Sequence, residues 1–254
     1  MFRFFVAPEQ ISGEQVIITG EDVNHMKNVL RMKQGEKVRI SNGTDEDYFC
    51  SIESLENDQV LLHIDSRETS SIELPVQITL FQGLPKGDKM ELIIQKAVEL
   101  GVYEIVPVAM KRCVVKLDSK KAQSKVKRWQ AIAESAAKQS GRMLIPQVQM
   151  PMTFVQALED AKEYEYHLLP YENEEGMDGI RRVLSEMAER VRAYQGDQPL
   201  KAGIFIGPEG GFDEAEVAKA KEAGWKKISL GRRILRTETA GMALLSVLVY
   251  MLEP

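Results

Sequence analysis

The sequence predicts an α/β protein in two parts: a small N-terminal β-barrel, then a larger domain with a mostly parallel sheet. Three observations carry this. Short β-rich runs separated by Gly, Asn and Asp fill most of residues 1–70. After residue 75 strand and helix patterns alternate, as a parallel sheet with helical crossovers requires. The chain closes on an apolar stretch, "AGMALLSVLVYML", too short for a membrane span and therefore expected to be a buried helix.

The barrel strands are expected at "QVIIT" (15–19), "KVRIS" (37–41), "YFCSIESL" (48–55) and "QVLLHI" (59–64), with one short helix over about 21–31. Asn42-Gly43 in "SNGTDEDY" is a hairpin signal between two of them. "RETSSIELP" (67–75) is polar, ends in Pro and reads as a linker, which sets the domains at 1–72 and 73–254. In the larger domain "VQITLFQGL" is a strand and "GDKMELIIQKAVELG" a helix. Met90, Ile93, Ile94, Ala97 and Val98 follow the 3.6 period there, and Gly101 ends it. "YEIVPVAM" is the next strand, and "SKVKRWQAIAESAAKQSG" a second helix stopped by glycine. "YEYHLLP", "AGIFIG" and "KKISL" are further strands. "DEAEVAKAKEAG" is a helix with Asp213 as N-cap, Glu216 three residues on and Gly224 as terminator. The last helix is "TETAGMALLSVLVYML", with Thr237 near its start.

Hydrophobic residues make up 44% and charged residues 28%, the balance of a soluble globular chain with a sizeable core. The net charge of −5 excludes a protein that is basic throughout. Its distribution is uneven. Residues 111–128, "KRCVVKLDSKKAQSKVKR", hold eight Lys/Arg and one Asp, whereas acids collect elsewhere, as in "YENEEGMD" (171–178). Such segregation suits a local anionic partner or a solvated helix face. Cys50 and Cys113 match no metal or redox spacing, and "MFRFFVAPEQ" lacks a signal-peptide core; a cytoplasmic location is expected. His25, His63 and His167 have no ligand spacing, so no metal is expected. Without a G-x-S-x-G elbow, and with Cys113 placed in a strand, hydrolase chemistry has no support.

Three glycine-bearing turns each follow a strand: "FQGLPKGDK" (81–89), "GPEGGFDEAE" (207–216) and "LGRRILRTETAG" (230–241). Ligands of parallel sheets sit at the carboxyl ends of strands, so neighbouring turns of this kind point to one pocket. The first lacks the Lys-Ser/Thr end of a P-loop, and "GPEGGF" has neither the spacing of a dinucleotide fingerprint nor, at Pro208, a backbone donor. A flat, uncharged group such as an adenine ring is the better match. In the third turn Ile234 and Leu235 stand apolar among Arg232, Arg233 and Arg236, and need a ligand or second subunit to bury against.

"FQGLPKGDKMELIIQKAVELGVYEIVPV", "IFIGPEGGFDEAE" and "ISLGRRILRTETA", in that order, resemble the three blocks of the SPOUT class of RNA methyltransferases. "HMKNVLRMKQGEKVRISNGT" is similar to the opening domain of one SPOUT family, ribosomal RNA small subunit methyltransferase E, and the likeness covers essentially the whole chain. The resemblance implies a SPOUT-type α/β domain with a C-terminal trefoil knot, which topology rules alone would disfavour, and a PUA-like RNA-binding barrel before it. It also implies a homodimer with the knot at its interface, no membrane partner, and methyl transfer from S-adenosyl-L-methionine to N3 of a uridine in 16S ribosomal RNA or the assembled small subunit.

Carried over by position, the cofactor segments are Leu169-Pro170, then Gly207, Pro208, Glu209, Gly210 and Gly211, then Leu230, Gly231, Ile234, Leu235, Arg236, Thr239 and Ala240. Arg236 is the candidate catalytic residue, stabilising charge on the uracil oxygens or holding the adjacent phosphate; Glu209 is a candidate base or a residue that shapes the turn. Arg3, Arg31 and Arg39 are candidate RNA contacts in the barrel, with Lys86, Arg112 and Lys116 on the larger domain. Two other readings stay open at this level: the same chemistry on another ribosomal or transfer RNA position, and a non-catalytic RNA-binding assembly factor.

Overall fold

The computed structural model describes residues 1–43, 46–68, 72–174, 176–196 and 198–253. Thr44 and Asp45 beside the expected hairpin turn, residues 69–71 of the expected linker and Glu175 of the acidic run lie outside them. The chain forms two compact units: Met1–Glu73 with Ala137–Ile145, and Leu74–Ala136 with Pro146–Pro254.

The first unit is a six-stranded sheet. Its strands are β1 (Phe2–Phe5), β2 (Ile11–Ser12), β3 (Gln15–Thr19), β4 (Lys37–Ser41), β5 (Asp47–Leu55) and β6 (Gln59–Glu68), in the order β1-β4-β5-β6-β3-β2. Alternation does the sorting: Val16 and Ile18, Val38 and Ile40, and Val60, Leu62 and Ile64 point into one core. The expected helix over 21–31 is shorter and broken. It is α1 (Glu21–Asn24), continued as a wide turn His25–Val29, with Val23 and Met26 buried. β1 carried no sequence signal, because a lone Arg3 among phenylalanines gives no clear alternation.

Burial in this core pushes the Cys50 thiol up to about 12, with the Asp65 carboxylate adding to the effect. The thiolate is the reactive form. A thiol reagent at pH 8 is therefore expected to leave Cys50 unmodified until the protein is unfolded; rapid labelling of the native protein would contradict this burial.

The second unit carries a seven-stranded, all-parallel sheet. Its strands are β7 (Val76–Gly83), β8 (Glu104–Ala109), β9 (Gln147–Val148), β10 (Met152–Thr153), β11 (Tyr166–Pro170), β12 (Leu200–Ile206) and β13 (Lys226–Ile228). The order is β10-β8-β7-β12-β11-β13, with β9 also on β8. The helices are α2 (Lys89–Glu99), α3 (Ser119–Ser140), α4 (Phe154–Asp160), α5 (Asp178–Ala193), α6 (Glu214–Glu222) and α7 (Thr237–Leu252). α3 begins ahead of its apolar pattern because Asp118 caps it, accepting the Lys121 N–H at 2.8 Å. α6 starts as its sequence dictates, with a capping box between Asp213 and Glu216. α4 and α5 are additions to the sequence reading; α5 buries Ile180, Val183, Leu184, Met187 and Ala188.

An aromatic cluster fills the core beneath the carboxyl ends of the strands. The Phe81 and Phe205 rings stack at 5.5 Å, and Trp225 meets Phe205 edge-on at 5.2 Å. α7 buries Leu244, Leu245 and Leu248 but leaves Val247 and Tyr250 exposed. Among the described residues no helix is long and apolar enough to cross a membrane, and no group of three or more His, Cys, Asp or Glu is gathered as a metal site.

Candidate functional site

Three loops leave the carboxyl ends of adjacent strands β11, β12 and β13 and enclose a cavity of about 520 Å³. Pro170–Glu172, Gly207–Phe212 and Ser229–Thr237 form its walls, with Ile206 and Ala240 at its base and Lys89 at its edge. This is the place and size expected of a small-molecule site in a parallel sheet.

The glycines of "GPEGGF" stand in close quarters with the protein's own chain. A Cβ on Gly207 would lie 3.2 Å from the Phe212 ring, and one on Gly210 would lie 3.1 Å from Arg112 Cβ. Gly211 has φ +68° and a Glu172 carboxylate oxygen 2.5 Å from where a Cβ would be. Phe212 and Glu172, which crowd Gly207 and Gly211, line the same cavity.

A polar relay fixes that turn. Buried Gln82 donates its amide N–H to Thr237 Oγ1 at 2.9 Å and to the Gly83 carbonyl at 3.1 Å. Thr237 Oγ1 in turn donates to the Gly207 carbonyl at 2.6 Å. The end of β7, the start of α7 and the turn after β12 are thus pinned at one point. A second tie is ionic. Lys89 Nζ lies 3.0 Å from Glu209 Oε1 and 3.3 Å from Glu238 Oε2. The latter is an ion-pair contact; no directed hydrogen bond reaches that Glu238 oxygen among the described residues.

Glu209 also accepts the Lys86 backbone N–H at 3.1 Å. Partial burial opposes ionisation of Glu209, but the Lys89 ammonium and the backbone N–H groups outweigh it and hold the carboxyl below its usual range. An ionised carboxylate already engaged by a lysine is a poor proton acceptor. Its geometry is that of a residue that shapes the turn.

Glu216 joins the turn to the loop after β8. Its two carboxylate oxygens accept the Lys111 N–H at 2.8 Å and the Asp213 N–H at 3.1 Å. Replacing Glu216 with alanine leaves both donors without an acceptor. It is expected to cost about 2 kcal/mol of stability, while Glu216→Gln keeps part of the network and costs less; chemical denaturation of both variants tests this.

Most of the expected cofactor residues meet here. Pro170, Gly207, Pro208, Glu209, Gly210, Gly211, Leu230, Gly231, Ile234, Leu235, Arg236 and Ala240 all line the cavity. Leu169 does not. It is fully buried in the aromatic core, because the strand has not yet ended there. Thr239 lies one residue before the lining Ala240, exposed on the first turn of α7, with its N–H donated to the Arg236 carbonyl. Of the three glycine turns only two bring their glycines to the cavity. Residues 81–89 contribute Lys89 and otherwise act from behind, through Gln82 and Lys86. The third wall, Tyr171 and Glu172, carries no glycine and gave no signal of its own.

The expected RNA contacts divide. Arg3 is corrected to a structural residue: its side chain is 6% exposed, pairs with Asp47 at 2.7 Å and donates to the Arg142 carbonyl at 2.6 Å. Arg39 is partly engaged, bonded to Asp47 and Glu68 with its guanidinium 4.9 Å from the Phe49 ring centroid. Arg31 is exposed, at φ +53°. Lys86, Arg112 and Lys116 are exposed on the second unit, and Arg112 donates to the Gly210 carbonyl at 3.1 Å. Cys113 lies in the loop after β8 rather than in a strand, and burial raises its thiol above the usual range, which disfavours the reactive thiolate.

The lining fits a methionine-nucleoside. Ile206, Pro208, Leu235 and Ala240 give apolar surface for a flat ring, and Glu172 with Arg232 and Arg233 supplies both signs of charge for a zwitterionic end. Known proteins agree with this chemistry. Residues 72–249 match the model of an RNA methyltransferase domain, and residues 18–65 that of an RNA methyltransferase PUA domain. The Bacillus subtilis (strain 168) ribosomal RNA small subunit methyltransferase E is 38% identical over 256 residues, spanning 100% of this chain and 98% of its own. Its Mesomycoplasma hyopneumoniae (strain 232) counterpart is 34% identical over 97% of this chain and 98% of its own. The ribosomal RNA small subunit methyltransferase E of Neisseria gonorrhoeae, solved bound to S-adenosyl methionine, superimposes with a TM-score of 0.82 at 33% identity, covering 99% of this chain and 98% of its own. With both of its units matched and relatives similar end to end, the chain belongs to the ribosomal RNA small subunit methyltransferase E family.

Proposed function

We propose that this chain methylates N3 of one uridine in 16S ribosomal RNA, using S-adenosyl-L-methionine held in the cavity at the ends of β11, β12 and β13. The observation that carries this is the convergence of twelve expected cofactor residues on one 520 Å³ space, in a chain of this family. The bound cofactor supplies an electrophilic methyl group. The protein supplies position and charge.

N3 of uracil is a weak acid whose proton must leave to solvent for the methyl group to take its place, so the anion formed needs stabilising. Arg236 is suited to that task. Its side chain is 80% exposed at the cavity edge, and its nearest acid, Glu238 Oε1, is 4.0 Å away. The guanidinium can therefore turn to a substrate oxygen or the neighbouring phosphate. Glu209, ionised and bound to Lys89, shapes the wall. A paired uridine hides N3, so the target is unpaired or flipped out of its stack.

Ile234 is 87% exposed, and Tyr250 and Val247 are exposed at 83% and 41%. Large apolar side chains left in water on one loop and one helix support a homodimer built on this region. The chain leaves β13 at the sheet edge, passes the other two cavity loops, and returns as α7 against α2 and β12. That routing supports a trefoil knot. We read the domains as an RNA-gripping PUA-like part over 1–72 and a methyltransferase part over 73–254, from which Ala137–Ile145 packs with the first unit, acting in the cytoplasm.

The decisive experiment maps modified nucleotides in ribosomal RNA from a strain lacking this protein. Loss of one N3-methyluridine, restored by the wild-type gene, is expected. An unchanged small-subunit RNA, with a methyl group missing elsewhere, would move the target. Calorimetry that detects no S-adenosyl-L-methionine binding would leave only a non-catalytic role.

A further inference from the structure

The basic run at 111–128 is not explained by the cofactor cavity. It holds eight of the chain's 33 Lys/Arg in 18 residues, although the whole chain has net charge −5. Its one acid, Asp118, is engaged in capping α3 and in a pair with Lys121 at 3.4 Å. From other segments, Asp213 faces Lys111 at 2.9 Å and Arg112 at 3.9 Å, and Glu91 faces Arg128 at 2.8 Å. Lys116, Lys120 and Lys127 are exposed and have no ion-pair partner among the described residues.

The placement is costly in helix terms. Five of the first ten residues of α3 are basic and its first turn has no acid. Cations at a helix N-terminus oppose the macrodipole. α3 buries Ala122, Trp129 and Ala133, which leaves Lys120 and Lys127, seven residues apart, on the outward side and about 10 Å apart along the axis. The run also begins at the cavity wall, where Arg112 donates to the Gly210 carbonyl. One end of a positive strip thus abuts the candidate site, and the rest leads away from it.

We propose that Lys116, Lys120 and Lys127, on the loop after β8 and the first half of α3, bind the phosphodiester backbone of the RNA flanking the target base. This rests on the reading of the chain as an RNA methyltransferase. It extends the candidate RNA contact at Lys116 along α3 to Lys120 and Lys127. Lysines without acid partners offer charge for phosphate with no competing pair to break. Such contacts position RNA and carry no sequence preference.

The test is the salt dependence of binding to small-subunit ribosomal RNA. Wild type is compared with the triple variant Lys116→Ala, Lys120→Ala, Lys127→Ala. Losing three phosphate contacts is expected to make the slope of log K against log salt shallower by about 2, and to weaken binding on the order of 10²-fold near 0.1 M salt. S-adenosyl-L-methionine affinity is expected to stay within about twofold of wild type. A folded variant with an unchanged slope overturns the proposal. So does an unchanged RNA slope accompanied by lost affinity for polyglutamate, which would assign the strip to an acidic protein. Should the triple variant unfold, Lys120→Gln with Lys127→Gln keeps helix propensity and is expected to lower the slope by about 1.4. Wild-type protein that neither binds the cofactor nor methylates RNA would refute the enzymatic reading instead, so the two failures are distinct.

Discussion

Replacing Gly83 with alanine is expected to lower the stability of the protein by about 3 kcal/mol and to weaken S-adenosyl-L-methionine binding more than tenfold. Gly83 ends β7, beside the turn that follows its neighbour β12. A Cβ there would sit 2.7 Å from both the backbone N and Cδ of Pro208, and 2.9 Å from Met110 Sδ. The sulfur can swing away. The Pro208 nitrogen is backbone, inside a ring that fixes φ, and cannot. The strain must move Gly207–Gly211, the wall that carries the cavity. Denaturant unfolding reads the first effect and calorimetry the second. A variant that binds cofactor like wild type would mean that the turn does not define the site.

Arg236→Ala is expected to lower turnover on ribosomal RNA by about 10²-fold, the scale of removing one charge-stabilising donor. Cofactor affinity is expected to change by no more than about threefold. The reason is exposure: Arg236 stands at the edge of the cavity and its guanidinium makes no close contact with the walls. Turnover within a few-fold of wild type would end the catalytic assignment. A parallel Glu209→Gln variant separates the roles, since a wall-shaping residue affects cofactor affinity first.

Legibility in the sequence followed locality. The capping box of α6, the 3.6 period of α2 and the alternation in β3, β4 and β6 are set by neighbours in the chain, and each formed where its pattern predicted. The exceptions depend on distant partners. Arg3 looked like a surface cation because nothing nearby in sequence announces Asp47, 44 residues away. Residues 137–145 join the first unit because the Ser41 hydroxyl donates to the Met143 carbonyl across 102 residues. Two cavity walls were flagged by glycine. The third, Pro170–Glu172, has no glycine; family resemblance gave Pro170 alone, and Tyr171 and Glu172 were missed. The glycines themselves were right for another reason, since their own chain fills the space beside them.

The hydrogen bond from Gln82 to Thr237 joins residues 155 apart, and it braces the turn on which the cavity depends. Loops of that length close late, because their entropy must be overcome before the contact is formed. The pocket is therefore expected to be completed late in folding. During refolding, helix content should recover first and the capacity to bind S-adenosyl-L-methionine afterwards. Ligand uptake is expected to serve as a clock for completion, lagging the recovery of secondary structure.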